Sequence, residues 1–277
     1  MTAHLSYATG DGFKVMKQLN RLNKPPVKSI KSPDGDIIDC VPISNQSAFD
    51  HPSLKNHKIQ MKPSFHPHGL NYESMQESSE KQETITQLWH LNGNCPKGTI
   101  PVRRTKKEDI LRASNIKKYG KKTGQSIVAH PNSTVEPVLV DQSVHAHAIA
   151  YTQGEFYGAK ATINLWNPQI QQPNEFSLSQ IWIFGGSFDS DLNSIEAGWQ
   201  AYPYLYGDSN TRLFTYWTSD AYRATGCYNL LCSGFIQINN EIALGASISP
   251  VSKYHGSQYV ISILVWKVCS YHWALNN

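Results

Sequence analysis

The sequence predicts a mainly β fold, an antiparallel sandwich or barrel preceded by a small α+β region. Three observations point there. After about Leu139, short runs rich in β-branched and aromatic residues recur, and turn signals at 207–210 (GDSN), Gly226, Asn239-Asn240 and Gly256 separate them. The 7 Trp, 14 Tyr and 9 Phe suit pleated, half-buried surfaces, and the 18 Gly and 15 Pro punctuate them. Ahead of Leu139 the texture differs, with one helical period, isolated strands and long polar stretches.

In chain order, Phe13 to Asn23 reads as a short amphipathic helix. Val15, Leu19 and Leu22 share one face with Lys14, Lys17, Gln18 and Arg21 between them, and Pro25-Pro26 ends it. The opening residues to Gly12 have no basic region followed by an apolar stretch, so they do not read as a secretory signal. Ser32-Pro33-Asp34-Gly35 is a turn, and Ile37 to Ile43 a strand centred on Cys40. Residues 44–82 are polar and weakly periodic. Thr84 to Leu91 reads as a strand and Glu108 to Tyr119 as a short helix. Gln125 to Val138, with Pro131 and Pro137, reads as a linker, which divides the chain into 13–125, 126–140 and 141–277. Strands are then expected at 145–151, 158–166, 179–184, 194–200, 211–218, 234–238, 241–248 and 259–266.

Composition narrows the function classes. Of the 277 residues, 40% are hydrophobic and 17% charged, too apolar for a disordered chain. The apolar run Tyr259 to Trp266 is eight residues long, whereas a spanning helix needs about twenty. No membrane partner is therefore expected. Residues 1–139 carry 20 Lys/Arg against 12 Asp/Glu, and residues 140–277 carry 5 against 9, so the halves are +8 and −4. Ten of those basic residues lie in Lys97–Lys122. That run has only Tyr119 as an aromatic, and no zinc-finger or RNP pattern accompanies it, so it does not read as a nucleic-acid site. The opposite charges favour docking of the first half on the second. Acid would weaken that docking by protonating carboxylates and His57, His66 and His68.

Five cysteines lack metal-site spacing. Cys227 and Cys232 are either a small disulfide loop or two reduced thiols. A bond between them would contribute about 2 kcal/mol by loop closure, and one between Cys40 and Cys95 about 4 kcal/mol. Asn45 and Asn132 head glycosylation sequons. His145 and His147 share one strand face, but no third ligand pattern stands nearby, and no metal or cofactor is expected. There is no G-x-S-x-G, no P-loop and no dinucleotide fingerprint. The carboxylate of interest is Glu196. On a strand, Ile195, Ala197 and Trp199 face a core, while Ser194, Glu196, Gly198 and Gln200 face the other way, where small neighbours leave room for a substrate.

Both halves resemble the plant neprosin family. The first resembles its activation peptide through LNRLNKPPVKSIKSPDGDIIDCVPI at 19–43, QSAFDHPSLKNHKIQMKPS at 46–64 and QLWHLNGNCPKGTIPVRRT at 87–105. The second resembles the start of its catalytic domain through HAIAYTQGEFYGAKATINLWNP, SQIWIFGGSF and LNSIEAGWQAYPYLYGDSNTRLFTYWTSDAYRATGCYNLLCSGFIQ. The resemblance implies a secreted glutamic prolyl endopeptidase, made as a zymogen and active at acidic pH. Its β-sandwich would carry two glutamates facing each other across a cleft. It places the first glutamate at Glu196 and a disulfide at Cys227–Cys232, with Cys40 expected near Cys95. The expected partners are proline-containing peptides and the chain's own propeptide. Trp199, Tyr202, Tyr216 and Trp217 are candidate walls of a proline-binding cleft. The sequence departs from the family after Trp266-Lys267. The family's later GGE string with the second glutamate is absent, and the only glutamate after Glu196 is Glu241, beside Asn239-Asn240 in an apparent turn. The expectation is a truncated sandwich that is inactive as it stands, with Cys269 unpaired in the divergent tail. The alternative is a non-catalytic β-sandwich that binds carbohydrate or protein.

Overall fold

Two three-stranded antiparallel sheets stacked face to face carry the second half. In the computed structural model, which describes residues 2–67, 85–122, 146, 148–187, 190–269 and 272–276, one sheet has the order β5-β6-β7 (Ser177–Gly185, Asn193–Ala201, Arg212–Thr218). The other has the order β4-β8-β9 (Gly158–Asn164, Val260–Cys269, His272–Asn276). β8 is rich in Val and Ile, and its register with β4 sets Ile163 opposite Ile261 and Ala161 opposite Ile263. Ile163, Leu165, Ile261, Ile263 and Val265 of one sheet meet Ala197, Trp199 and Leu213 of the other in one apolar layer. That is the expected mainly β, antiparallel sandwich.

The first half builds a smaller α+β unit. β1 (Lys28–Lys31), β2 (Ile37–Pro42) and β3 (Thr99–Arg103) form an antiparallel sheet. A disulfide joins Cys40 on β2 to Cys95, and both sit in a core with Ile30, Ile38 and Trp89. The helix α1 runs Thr2–Leu22 and so begins well before the expected Phe13. Its Val15 and Leu22 pack on Ile110 of the short helix α2 (Lys107–Arg112) and on Tyr119. The helix expected to reach Tyr119 instead stops at Arg112 and resumes as a 3-10 turn at Ile116–Lys118.

Among the described residues, four expected strands are absent. Residues 88–92 form a 3-10 turn rather than the strand read over 84–91. The turn lets Trp89 bury beside Cys95 and donate to Gln87 Oε1 at 2.9 Å. Residues 234–238 and 241–248 form no strand, although Leu244, Ser247 and Ser249 each make one isolated bridge. Gly245, Ala246 and Ile248 make scattered backbone bonds to Leu213 and Thr211, while at Gln237 and Ala243 the side-chain amides of two first-half glutamines take the place of a neighbouring strand. Gln46 donates to Gln237 O at 2.9 Å and accepts from Gln237 N at 2.8 Å. Gln87 donates to Ala243 O at 2.8 Å and accepts from Ala243 N at 2.7 Å. The backbone groups of Gln237 and Ala243 are thus satisfied without a ladder. Residues 146 and 148–151 show no strand. His145, His147, Asn132, His68 and the 126–140 linker lie outside the described residues.

Candidate functional site

The pleat of β6 decides where its carboxylate goes. Ile195, Ala197 and Trp199 enter the layer between the sheets, so Ser194, Glu196 and Gln200 project from the opposite face. The first half covers that face, and Glu196 is 1% exposed. Register sets Trp182 and Tyr216 on either side of it.

Two groups hold the Glu196 carboxylate. The Tyr222 hydroxyl donates to Oε1 at 2.8 Å and lies 3.1 Å from Ser194 Oγ. Lys122, from the first half, ion-pairs with Oε2. A carboxylate this deeply buried needs such partners, because an uncompensated buried charge costs several kcal/mol. The Lys122 ammonium also stands over three rings, 4.8 Å from the centroid of Tyr216, 5.7 Å from Tyr222 and 5.9 Å from Tyr228. Tyr216 packs edge-on against Tyr228 with centroids 4.8 Å apart. Burial, with the charge of Glu196 adding to it, pushes the Tyr216 phenol up to about 12 and raises Tyr222 and Tyr228 as well. All three therefore stay neutral donors over any physiological pH.

The chain reaches this place through a tight approach. Gly120 has φ +75°, and a Cβ there would lie 2.7 Å from Leu231. Its carbonyl accepts from Tyr228 N at 2.8 Å, Lys121 Nζ donates to Ala224 O at 2.7 Å, and Lys122 N donates to the Tyr216 hydroxyl at 3.1 Å. Three consecutive residues are thus each tied to the second half. Tyr222 stands on a strained loop in which Ala221 (φ 55°) and Tyr222 (φ 61°) are both left-handed. Such non-glycine conformations cost about 1–3 kcal/mol each and persist where the surroundings impose them. Asp220 imposes this one. Its carboxyl accepts from Ala224 N, Thr225 N and Thr225 Oγ1. Burial raises its pKa, but these hydrogen bonds outweigh burial and hold the carboxyl below its ordinary value.

A second cross-half anchor lies further along the same face. Arg212, fully buried on β7, pairs with Asp36 of the first half at 2.5 Å and with Asp208 at 2.5 Å, and donates to Gly245 O at 2.7 Å. Asp36 also holds Arg103 at 2.9 Å, and Arg103 reaches Asp109 at 3.3 Å. Docking is therefore not simply basic on acidic, because its most deeply buried pair sets an acid of the basic half against a base of the acidic half.

Of the sequence-stated candidates, the structure brings Tyr216 onto the Glu196 face. Tyr202 joins the same cluster, 6.3 Å from Tyr228 and 5.3 Å from Phe176. Trp199 and Trp217 are not brought there. Both project from the opposite face by strand parity: Trp199 is buried between the sheets and donates to Asn164 O at 2.8 Å. Trp217 lines a cleft of about 1660 Å³ that Glu196 does not line. Glu241 is exposed, with its carbonyl 2.8 Å from His90 Nε2. Asn45 is exposed on the 3-10 turn Ile43–Asn45. Cys227 and Cys232 are bonded to each other. Among the described residues, no group of three or more His, Cys, Asp or Glu is placed to hold a metal, and no helix is long and apolar enough to cross a membrane. Sequence reasoning missed Lys122, Tyr222, Tyr228, Asp36 and Arg212. Nothing local distinguishes Lys122 from the other basic residues of its run, and only its 74-residue reach to Glu196 reveals it.

Comparison with known families accounts for both halves. A family model for the neprosin activation peptide matches residues 29–151, and one for neprosin matches residues 173–277. The two matches meet in the structure at the contact just described, where Lys122 from the first reaches Glu196 in the second. The chain belongs to the neprosin family and carries its activation peptide ahead of the neprosin segment.

Proposed function

We propose that this chain is the latent form of a secreted, proline-directed glutamic endopeptidase in which Glu196 is one of two reacting carboxyl groups. The observation that carries the reading is the Lys122–Glu196 pair. A carboxylate on the covered face of the sheet is held by an ammonium that the activation peptide delivers. While that pair stands, Glu196 cannot take a proton from water, and the ammonium fills the space a scissile peptide would need. Withdrawal of the first half frees both.

The chemistry asks for two carboxyl groups whose protonation states split in acid. One stays protonated and polarises the scissile carbonyl; the other is ionised and takes a proton from the attacking water. The Tyr222 hydrogen bond orients Glu196 for its share. Tyr216, Tyr202, Tyr222 and Tyr228 offer flat apolar faces that suit a rigid proline ring. Glu196 supplies one carboxyl; its hydrogen-bonding partners are a lysine and a phenol. The second acid must come from elsewhere, and the 277-residue chain is inactive without it. The division into 13–125, 126–140 and 141–277, and glycosylation at Asn45 and Asn132, belong to the same reading.

The test is proline-directed cleavage at acidic pH by the refolded 277-residue chain, beside a version extended through the family's second-glutamate string. The expected result is cleavage by the extended chain alone, abolished by Glu196→Gln. An extended chain that leaves the peptide intact, or cleavage indifferent to Glu196→Gln, overturns the assignment. Cleavage by the short chain that Glu196→Gln abolishes keeps Glu196 but overturns the inactivity.

A further inference from the structure

We propose that the pocket around Lys122 is a primary-alkylammonium site built entirely by the second half, which takes a lysine side chain or a small linear amine supplied in trans once Lys122 is withdrawn. Glu196 on β6, Tyr216 on β7, Tyr222 on the loop that follows and Tyr228 beyond it surround the ammonium. Lys122 is the one member of this group that the first half contributes. Three aromatic faces and one carboxylate recognise a cation, the faces through their quadrupoles and the carboxylate through charge.

The details select the class of cation. Glu196 Oε2 accepts a hydrogen bond from the ammonium, so the ligand must be a donor, which a quaternary ammonium is not. A linear alkyl stem already fills the approach. The Lys122 side chain is 16% exposed, so the pocket has a path to solvent.

The walls do not depend on the occupant for their shape. Tyr222 is fixed by its bonds to Glu196 and Ser194 and by the loop wrapped on Asp220. Tyr216 and Tyr228 are fixed edge to face and by the bridge between their backbones. A preformed site loses little freedom on binding. Hydrolysis does not enter this binding. Only the corollary, that lysine-bearing peptides obstruct the peptidase, rests on the function proposed above.

The experiment uses the full chain with Lys122→Ala, which keeps the Cβ and removes the remaining stem and the ammonium. n-Propylammonium chloride replaces what is missing. The expected result is a rise in the thermal midpoint of about 3 °C at tenfold the dissociation constant. No rise is expected with 1-propanol, tetramethylammonium chloride or sodium chloride at equal concentration, nor for n-propylammonium with Lys122→Ala/Glu196→Gln. If Lys122→Ala does not fold alone, its refolding yield reads the same property, and recovery is expected with n-propylammonium only. Equal effects of 1-propanol or sodium chloride, a response that survives Glu196→Gln, or no recovery with the amine each overturn the proposal. Because no readout involves peptide cleavage, failure of the peptidase assignment would leave these results unchanged.

Discussion

The two faces of the β5-β6-β7 sheet differ in that only one of them buries charge. The face toward β4-β8-β9 is aliphatic and aromatic: Ile181, Ile183, Ala197, Trp199 and Leu213 against Ile163, Leu165, Ile261 and Ile263. The face toward the first half carries Ser194, Glu196, Gln200, Arg212 and Tyr216 around Phe214, and ion pairs, phenols and side-chain amides join the apolar contacts that close it. Apolar burial is non-directional and indifferent to pH. Buried ion pairs contribute little net stability, yet losing one partner is severe, so they give specificity and a conditional hold. One face keeps the sandwich together, and the other keeps a removable partner seated.

The comparison breaks most visibly on the apolar side. Trp199→Ala should cost about 4 kcal/mol of stability, read by urea unfolding, with the same loss at pH 5 and pH 7. A loss that halves between those pH values would mean that this face is also polar in effect. On the other side, Asp36→Ala leaves Arg212 buried with Asp208 alone and should cost about 3 kcal/mol. Added salt should leave that cost nearly unchanged, because the pair is shielded from solvent ions. A cost below about 1 kcal/mol would place the pair with ordinary surface salt bridges.

The smallest effect sharpens the distinction through pH. Asp34, in the turn before β2, accepts from Ser247 Oγ across the two halves and from Asp36 N at 3.3 Å. Burial raises its pKa, but the hydrogen bonds from Ser247 and Ser32 outweigh burial and hold the carboxyl below its ordinary value. A depressed folded-state pKa means that this contribution is complete above the unfolded value, near 3.9, and is lost as pH falls through the folded value. Because Asp34 is only half-buried, Asp34→Asn should flatten the acid-side slope of stability against pH by only about 0.5 kcal/mol. The urea midpoint measured between pH 2 and pH 5 checks this, and an unaltered slope would remove Asp34 from the acid response.

Much of the sandwich was legible from the sequence because its strands sit in a periodic apolar environment. The stretches 158–166, 179–184, 194–200, 211–218 and 259–266 alternate or run β-branched, and each became a strand. Residues 241–248 have the same texture and did not: Gln87 rather than a strand satisfies Ala243, and only scattered bonds reach Leu213 and Thr211 from the residues after it. Composition cannot register that a partner 156 residues away will do so. Parity on β6 correctly put Glu196 opposite Ala197 and Trp199, but proximity along the chain misplaced Trp199 and Trp217 beside it. Lys122 and Arg212 look like surface residues in the sequence. What makes them part of a site is that each lies against a carboxylate of the other half.

The glutamine amides that stand in for a strand turn two backbone positions into isotopic reporters. Gln237 N and Ala243 N donate to the side chains of Gln46 and Gln87, and both of those belong to the first half. While the first half is seated, these protons exchange with deuterium no faster than it unseats. When it departs they meet water at once, although the sheets behind them keep their own protons. The exchange of two amides, measured without any substrate, therefore times the departure of the activation peptide separately from the unfolding of the sandwich.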